Sequence, residues 1–600
     1  MKINNTIKIV ASVFLLLLIL SQTSIIADSA SKYLVSSTNI YLLAVTNSNM
    51  GIVVNVTLQA YFPGEGKIEI IEKNGVVEED TLYSIYYSLR LASLVTGIDY
   101  RSYDYKIIFP EEIYMKGTSA TLAFTLGFIG LLKNIRHSPK VGATGVVAPD
   151  LIVGNVSGID AKYYAALRYG LDYVIGPPQF FRHGFRYSSG KYIYAIDVFN
   201  AYNYYSGNSI LPSIHVMGKP FIKYLVNAFN YSYINLKKSI DQYLQRQGLN
   251  ISSINGSTYY FLANKYYSIG DYYTAASYMF RAYINIYTSI LARKALRDPR
   301  ITALLMEWVQ HNLTKTKDLI RNYETLFLNK DYNIWNFDVF LNAYIRYSQS
   351  KYYYYAGNNI TSPTQKTEYY VLSLARIQTV KHWLKLFINK SDPDFLDNVN
   401  NNYDRIIDYI NISLIYLKSM NYIGNQTVKY FKSIVNSNQS SLEKTLYLGY
   451  YFYTLNQNLS AMRGLFDLFI SPKTVIDLNK TINGLGYLIG LETGYLTPTM
   501  LTTVELVNDY LVEGEKTYNL GMLMSMNLAI LVFELMITRQ YMRLSAEKIA
   551  YTQIVSSHEL RYDVLPAIIA LIIGSFLIGY LIGRIKSKPF TLENQVWSYT

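Results

Sequence analysis

The stretch KGTSATLAFTLGFIGLL, Lys116–Leu132, decides the fold of the first third of the chain. A loop of small residues around Ser119 leads into an apolar run that carries no charge, which predicts a buried helix starting just after the loop. A hydroxyl at such a point lies beside unpaired backbone N–H groups at the positive end of the helix, where an oxyanion would be stabilised. The alternative is an ordinary N-cap serine or threonine.

The segments around this stretch alternate between strand and helix patterns. Ile52–Phe62 and Asp104–Phe109 are typical of strands, whereas Leu82–Leu94 carries apolar residues at helical spacing. Beyond about residue 211, long amphipathic segments with few Gly or Pro continue to about residue 560. We therefore predict an α+β domain over residues 31–210, followed by an all-α helical region over residues 211–560.

One part of the predicted helical region resembles a tetratricopeptide unit. Phe261–Tyr287 has the pattern of two helices with a turn at Gly270, and Tyr451–Phe466 is a poorer copy of it. Two copies leave two alternatives open, which are tetratricopeptide-like hairpins and an irregular helical bundle.

The composition excludes several functional classes. No Cys occurs among the 600 residues, which rules out disulfide scaffolds, thiol nucleophiles and cysteine-bound metal clusters. The net charge of +13 is spread along the chain without a basic run, so no nucleic-acid partner is predicted. Phosphate-loop, nucleophile-elbow and H-E-x-x-H motifs are absent from the sequence, and its six His are scattered. We predict neither a cofactor nor a metal site.

Both ends of the chain carry apolar segments. Residues 1–30 have the layout of a signal peptide, although an uncleaved N-terminal anchor is an alternative. Val564–Gly583 is an uncharged run of membrane-spanning length, and the basic residues after it predict a cytoplasmic tail. We therefore predict a transmembrane helix over 561–584, a tail over 585–600 and a large extracytoplasmic part.

Two further observations concern the membrane. N-x-S/T sequons after residue 30 are about twice as frequent as chance, which indicates a glycoprotein on the cell surface. The apolar stretch Gly521–Ile537 contains Asn527 and Glu534, which favour a buried or interfacial helix over a second span.

Several motifs follow one another in a fixed order between about residues 55 and 205. The loop Gly117-Thr118-Ser119-Ala120 is followed by Thr144-Gly145 and then by Ser157-Gly158-Ile159-Asp160-Ala161-Lys162. Tyr163–Pro177 continues as a helix, a glycine turn and a strand. Together these motifs resemble the proteolytic domain of Lon-type serine proteases, in both their order and their spacing.

The resemblance implies a role for each matching residue. Ser119 would be the nucleophile, Lys162 the general base and Thr144 the residue that orients the lysine. The loop residues Gly117, Thr118 and Ala120 would surround the oxyanion site. A lysine acts as a base only when its pKa falls by about three units, which burial among apolar neighbours can cause. Such neighbours are present in the sequence at Phe124, Leu126, Ile159 and Tyr163.

The sequence also departs from the family pattern. Lys116 replaces an acidic residue before the loop, Ser157 replaces the first of two glycines, and Val146 follows Thr144-Gly145 in place of the acidic residue of many members. A cation at position 116 would disfavour a protonated Lys162. The missing phosphate loop indicates that the family's ATPase module is absent.

The sequence therefore predicts a membrane-anchored, extracytoplasmic, ATP-independent serine endopeptidase with a Ser–Lys dyad. Its partners would be a polypeptide substrate and the membrane, and assembly into a homo-oligomer stays open. We expect limited proteolysis of surface or secreted polypeptides. The alternative is a non-catalytic glycosylated surface scaffold that binds a partner and whose Lon-like domain has lost activity.

Overall fold

The structure is a computed structural model that describes most of the chain. The described residues are 32–46, 48–72, 76–109, 114–135, 140–178, 191–212, 222–459, 472–514 and 517–542. The predicted signal peptide, transmembrane helix and cytoplasmic tail lie outside these residues.

The N-terminal part is an α/β region in which short strands alternate with helices. Its strands are β1 Tyr33–Val45, β2 Gly51–Phe62, β3 Ile68–Glu72, β4 Val76–Val77, β5 Asp104–Phe109, β6 Tyr114–Met115, β7 Val141–Ala143, β8 Val146–Val147, β9 Val153–Gly154, β10 Tyr173–Gly176 and β11 Tyr192–Tyr194. Its helices are α1 Glu79–Thr96, α2 Thr121–Lys133, α3 Ile159–Tyr169 and α4 Val198–Ser206. The predicted strands at 52–62 and 104–109 and the helix at 82–94 are confirmed.

The largest sheet of the described residues has seven strands in the order β11-β10-β7-β1-β2-β5-β3. It is mixed, because β1, β2 and β5 pair antiparallel whereas β7, β10 and β11 run parallel to their neighbours. Along β2, buried and partly buried residues alternate from Val54 to Ala60, as expected for a strand with one face in the core. The parallel half brings the carboxyl end of β7 into the interior.

Helix α2 is buried along nearly its whole length, as its uncharged sequence predicts. Every residue from Thr121 to Leu132 is buried. A Cβ on Gly127 would lie 2.6 Å from Cγ2 of Ile40, so this glycine allows α2 to pack directly on β1. The start of α2, and the loop before it, is thereby fixed relative to the sheet.

The described residues from 222 to 538 are almost entirely helical. Their helices are α5 Ile222–Gln247, α6 Ser257–Ile269, α7 Tyr272–Arg297, α8 Arg300–Asn329, α9 Ile334–Asn358, α10 Pro363–Leu384, α11 Pro393–Ser419, α12 Asn425–Val435, α13 Ser441–Asn458, α14 Pro472–Thr493, α15 Pro498–Val512 and α16 Thr517–Thr538. Gly270 forms the turn between α6 and α7 with a φ of +94°, at the position predicted for it.

Helix α11 packs against the α/β region. Two ion pairs join them, with Arg90 Nε 3.1 Å from Asp408 Oδ2 and Arg405 Nη2 2.9 Å from Asp99 Oδ2. The ring of Tyr416 stacks on that of Tyr87 with centroids 4.4 Å apart. The described residues up to Met542 accordingly form one compact unit.

Within the described residues, Leu520–Thr538 of α16 is long and apolar enough to cross a membrane, judged by length and composition alone. In the folded chain 78% of this segment is buried inside the protein. Asn527 Nδ2 donates to Thr503 Oγ1 at 2.7 Å, and Glu534 is fully buried.

Candidate active site

The loop before α2 holds Ser119 beside the end of β7. Gly117 has a φ of +112°, in the left-handed region that residues with a side chain rarely adopt. The carbonyl of Ser119 accepts a hydrogen bond from the N–H of Gly145 at 2.9 Å, and the carbonyl of Gly145 accepts one from the N–H of Leu122 at 3.1 Å. This reciprocal pair fixes the loop against the residues that follow β7.

Lys162 lies in the first turn of α3, with its amine at the hydroxyl of Ser119. The distance from Lys162 Nζ to Ser119 Oγ is 2.8 Å. Lys162 is only 3% exposed, whereas Ser119 is half-buried. Helix α3 starts after Gly158, whose φ is +65° and whose Cβ, if present, would lie 2.6 Å from Cγ2 of Val45. A larger residue at position 158 would displace α3 and with it Lys162.

Thr144 connects the other two side chains. It is fully buried directly after β7, and its N–H donates to the carbonyl of Ile175 in β10 at 2.9 Å. Its Oγ1 donates to the carbonyl of Ser119 at 3.3 Å. The same oxygen lies 3.4 Å from Lys162 Nζ, from which it accepts a hydrogen bond. Thr144 therefore links the Lys162 amine to the loop that carries Ser119.

Burial changes the charge state of Lys162. It lowers the pKa of the Lys162 amine from its usual 10.5 to about 8, and no charged neighbour contributes to this shift. The apolar side chains of Phe124, Leu126, Ile159 and Tyr163, which flank the two motifs in the sequence, are all buried. About a tenth of the amine is therefore neutral at pH 7 and able to accept a proton.

The loop also presents free backbone donors. Among the described residues, the N–H groups of Ser119 and Ala120 donate to no backbone carbonyl. Ala120 is buried and caps α2, while the carbonyl of Thr118 accepts from both the N–H and the hydroxyl of Thr121. Two unpaired N–H groups at a helix start suit the negative oxygen of a tetrahedral intermediate.

Lys116 behaves differently from the expectation that its charge would act on Lys162. It is exposed, and its Nζ forms an ion pair with Glu78 Oε2 at 3.1 Å. Neither residue contributes to the pKa of Lys162. The expected effect of Lys116 on Lys162 is therefore not found, and Lys116 pairs instead with Glu78 at the start of α1.

Sequence reasoning missed the contribution of α11 to this loop. The hydroxyl of Tyr416 lies 2.9 Å from that of Thr121, and Thr118 Oγ1 lies 2.9 Å from Sδ of Met420. The Tyr409 hydroxyl donates to the carbonyl of Pro149 at 2.7 Å. These partners are separated by 295, 302 and 260 residues, and no local signal marks them. The helical region therefore contacts the loop that carries Ser119 directly.

No metal centre is found in the part of the chain that the structure describes, where no three His, Asp or Glu side chains converge. The groups around Ser119 are hydroxyls, an amine and backbone N–H donors. This set resembles that of a serine-type hydrolase, in which a base withdraws the hydroxyl proton and backbone donors stabilise an oxyanion.

Comparison with known proteins agrees with this class. No protein-family model matches the chain. A stretch of 121 residues is 31% identical to the Lon protease of Elusimicrobium minutum (strain Pei191), covering 19% of this chain. The match spans 14% of the length of that protein. It indicates a distant, partial relationship to Lon proteases.

Proposed function

We propose that the protein is a Lon-like serine endopeptidase that uses a Ser119–Lys162 dyad without ATP. The observation that carries the proposal is the 2.8 Å contact between the buried amine of Lys162 and the hydroxyl of Ser119. The partial identity to a Lon protease supports the same reaction class.

The dyad would act in two steps. Neutral Lys162 takes the proton from Ser119 while Oγ attacks the peptide carbonyl carbon, and the carbonyl oxygen becomes an oxyanion facing the N–H groups of Ser119 and Ala120. The intermediate collapses, the C–N bond breaks and the leaving amine takes the proton from Lys162. In the second step Lys162 removes a proton from water, which attacks the acyl carbon; the C–O bond to Ser119 then breaks, and Lys162 returns the proton to Oγ of Ser119.

Thr144 would be a positioning residue in this reaction. Its hydroxyl proton is directed to the Ser119 carbonyl, so only its lone pairs face the amine. That arrangement leaves the lone pair of a neutral Lys162 free to point at Ser119. Loss of the Thr144 hydroxyl should therefore lower the rate without removing the base.

The proposal also covers the kind of substrate and the location of the protein. A half-buried serine in a fixed loop can be reached only by a polypeptide segment that is already extended, so we propose limited proteolysis rather than degradation of folded proteins. The apolar run Val564–Gly583 supports a membrane anchor, with the peptidase on the extracytoplasmic side.

The test is covalent labelling of the purified full-length protein in detergent with a fluorophosphonate probe, together with ATP-free hydrolysis of casein. We expect Ser119→Ala and Lys162→Met to abolish both. Matched controls are Ser239→Ala and Lys238→Met, which change exposed residues of α5 and should leave both signals unchanged. Labelling that persists in Ser119→Ala would refute the assignment of the nucleophile. A folded wild-type protein that neither labels nor hydrolyses would instead favour the non-catalytic scaffold.

A further inference from the structure

A small cavity in the helical region contains two arginines. It has a volume of about 80 Å³ and lies among α5, α7, α9 and α10. Arg346 of α9 and Arg376 of α10 both line it, beside the aromatic side chains of Phe280 and Trp383. A cavity of this size has room for one small chemical group rather than a drug-sized ligand.

Aromatic rings fix the direction of both guanidinium groups. Cζ of Arg346 lies 4.4 Å from the ring centroid of Trp383, and Cζ of Arg376 lies 5.2 Å from that of Phe280. Arg346 Nη1 donates to the carbonyl and the side-chain oxygen of Asn342 at 3.0 and 2.7 Å. Stacking of this kind holds the planar forks in place before any ligand arrives.

The hydrogen-bonding capacity of the two arginines is only partly used. Each guanidinium carries five N–H donors. Nε of Arg376 is inaccessible to solvent and has no hydrogen-bond partner among the described residues. An unpaired buried donor destabilises the fold, and more so on a charged group. No group of the described residues accepts a hydrogen bond from the guanidinium of Arg376, and Arg346 donates only through Nη1, so both cations on the cavity wall keep unused donors.

No carboxylate of the described residues forms an ion pair with either arginine. The acidic group nearest along α9, Asp338, is occupied by the N–H and hydroxyl of Thr499, both at 2.6 Å. Burial, together with the charge of Arg376, lowers the pKa of Arg346 to about 10, although the charge of Asp338 and the nearby Tyr273 and Tyr453 act in the opposite direction. Two like charges in one poorly solvated cavity destabilise the unliganded fold unless an anion compensates them.

The histidine on the cavity wall does not supply that anion. His382 is buried, and its Nδ1 lies 2.8 Å from the hydroxyl of Ser232. Burial, reinforced by Lys385 and Lys381, lowers the pKa of His382 to about 4, so the ring is neutral at physiological pH. The cavity is therefore cationic because of the two arginines.

We propose that this cavity binds a small oxyanion, the carboxylate of a polypeptide C-terminus or a free phosphate, between the guanidinium groups of Arg346 and Arg376. Planar forks held by aromatic rings match the paired oxygens of either group. The site is independent of the Ser119 chemistry, so failure of one proposal leaves the other standing.

The test measures binding to the purified full-length protein in detergent at low salt by isothermal titration and by thermal shift. The probes are inorganic phosphate, an N-acetylated tetrapeptide with a free C-terminal carboxylate, and the same tetrapeptide as its amide. We expect the free-acid peptide or phosphate to bind and the amide not to bind, and whichever ligand is tighter identifies the source. Binding of neither anion, or equal binding of acid and amide, would overturn the proposal.

Two arginine variants test whether the anion binds in this cavity. We expect Arg376→Gln to weaken the tighter anion at least about tenfold, because a charge-assisted pair is lost. Arg300→Gln removes the same charge from an exposed position outside the cavity and should leave affinity unchanged. Unchanged affinity in Arg376→Gln would contradict the site.

A further variant separates binding from folding. Arg376→Met keeps an unbranched side chain but removes one of the two like charges, so its melting temperature without anion should rise above that of the wild type. Its melting temperature should also no longer respond to the anion. A lower melting temperature that still rises with anion would show a purely structural arginine and overturn the proposal.

Discussion

Lys162 in the α/β region and Asp338 in the helical region are both buried ionisable side chains, but their surroundings are opposite. Asp338 accepts hydrogen bonds from two groups of Thr499 and from Asn342, so its oxygens are saturated by donors that join α9 to α15. Lys162 has two hydroxyl oxygens as partners, and one of them belongs to half-buried Ser119. A saturated buried group stabilises structure, whereas one left beside a single reactive hydroxyl is available for chemistry.

The largest expected effect tests whether Lys162 works as a base rather than as a fixed cation. Lys162→Arg keeps a positive charge on a slightly longer side chain, but an arginine is not deprotonated at any accessible pH. We expect casein hydrolysis to fall by at least about 10³-fold. Hydrolysis assays with Lys238→Arg as the exposed control measure this, and a loss below tenfold would show that the amine is not the base.

The second effect is the pH dependence of Ser119 labelling. Because the pKa of Lys162 is about 8, the neutral fraction falls about tenfold for each pH unit below that value. The labelling rate should therefore rise roughly 50-fold between pH 6 and pH 8 and only about twofold more above pH 8. A rate that is flat over this interval would contradict a titrating base.

The lowered pKa of Lys162 also predicts that the stability of the fold changes with pH. The folded pKa is lowered from the usual 10.5 to about 8, so between these values the unfolded chain binds more protons and stability rises with pH. Below about pH 8 the full destabilisation, roughly 3 kcal/mol, is present. Lys162→Met should remove this slope, as measured by melting temperature from pH 7 to pH 10.

Asp338→Asn tests the structural role of the buried carboxylate in the helical region. The new amide would direct N–H donors at the donors of Thr499, leaving buried groups unpaired at a cost of about 2 kcal/mol. We expect a lower melting temperature with an unchanged labelling rate of Ser119. Asp397→Asn on the exposed face of α11 is the control. A loss of labelling without a loss of stability would give Asp338 a role in the reaction.

The smallest expected effect lies where the two regions meet. Tyr416→Phe removes the hydroxyl that contacts Thr121, two residues after Ser119. We expect about 1 kcal/mol of lost stabilisation and a labelling rate several-fold lower, with an unchanged pH midpoint. Tyr422→Phe, at an exposed position after α11, is the control. Equal rates in the two variants would show that the contact does not position the loop.

Much of the candidate site follows from local sequence patterns. The loop at Ser119, the threonine after β7 and the lysine in the first turn of α3 each belong to a short motif, and the structure brings their side chains together. Strand β2 follows from its alternating burial and helix α1 from its apolar spacing, although nearly every residue from Tyr87 to Val95 is buried, which the spacing does not predict. The first strand, Tyr33–Val45, was not identified, because the polar residues in its first half hide the strand pattern.

The remaining features of the fold and the site depend on contacts between distant parts of the chain. Thr121 and Tyr416 are 295 residues apart, and Arg346 and Arg376 belong to different helices. Lys116 forms an ion pair with Glu78, and no sequence motif links these two residues. Periodicity indicates which face of a helix is buried but not which neighbour covers it, so such contacts require the tertiary structure.

The hydroxyl contact between Tyr416 and Thr121 has a practical consequence for dissection of the chain. An excised fragment ending near residue 210 would lose α11, and the ring of Tyr87 and the start of α2 would meet water instead. The proposed catalytic unit is thus larger than its motifs, and a minimal version of it must include α11 as well as the amino-terminal third.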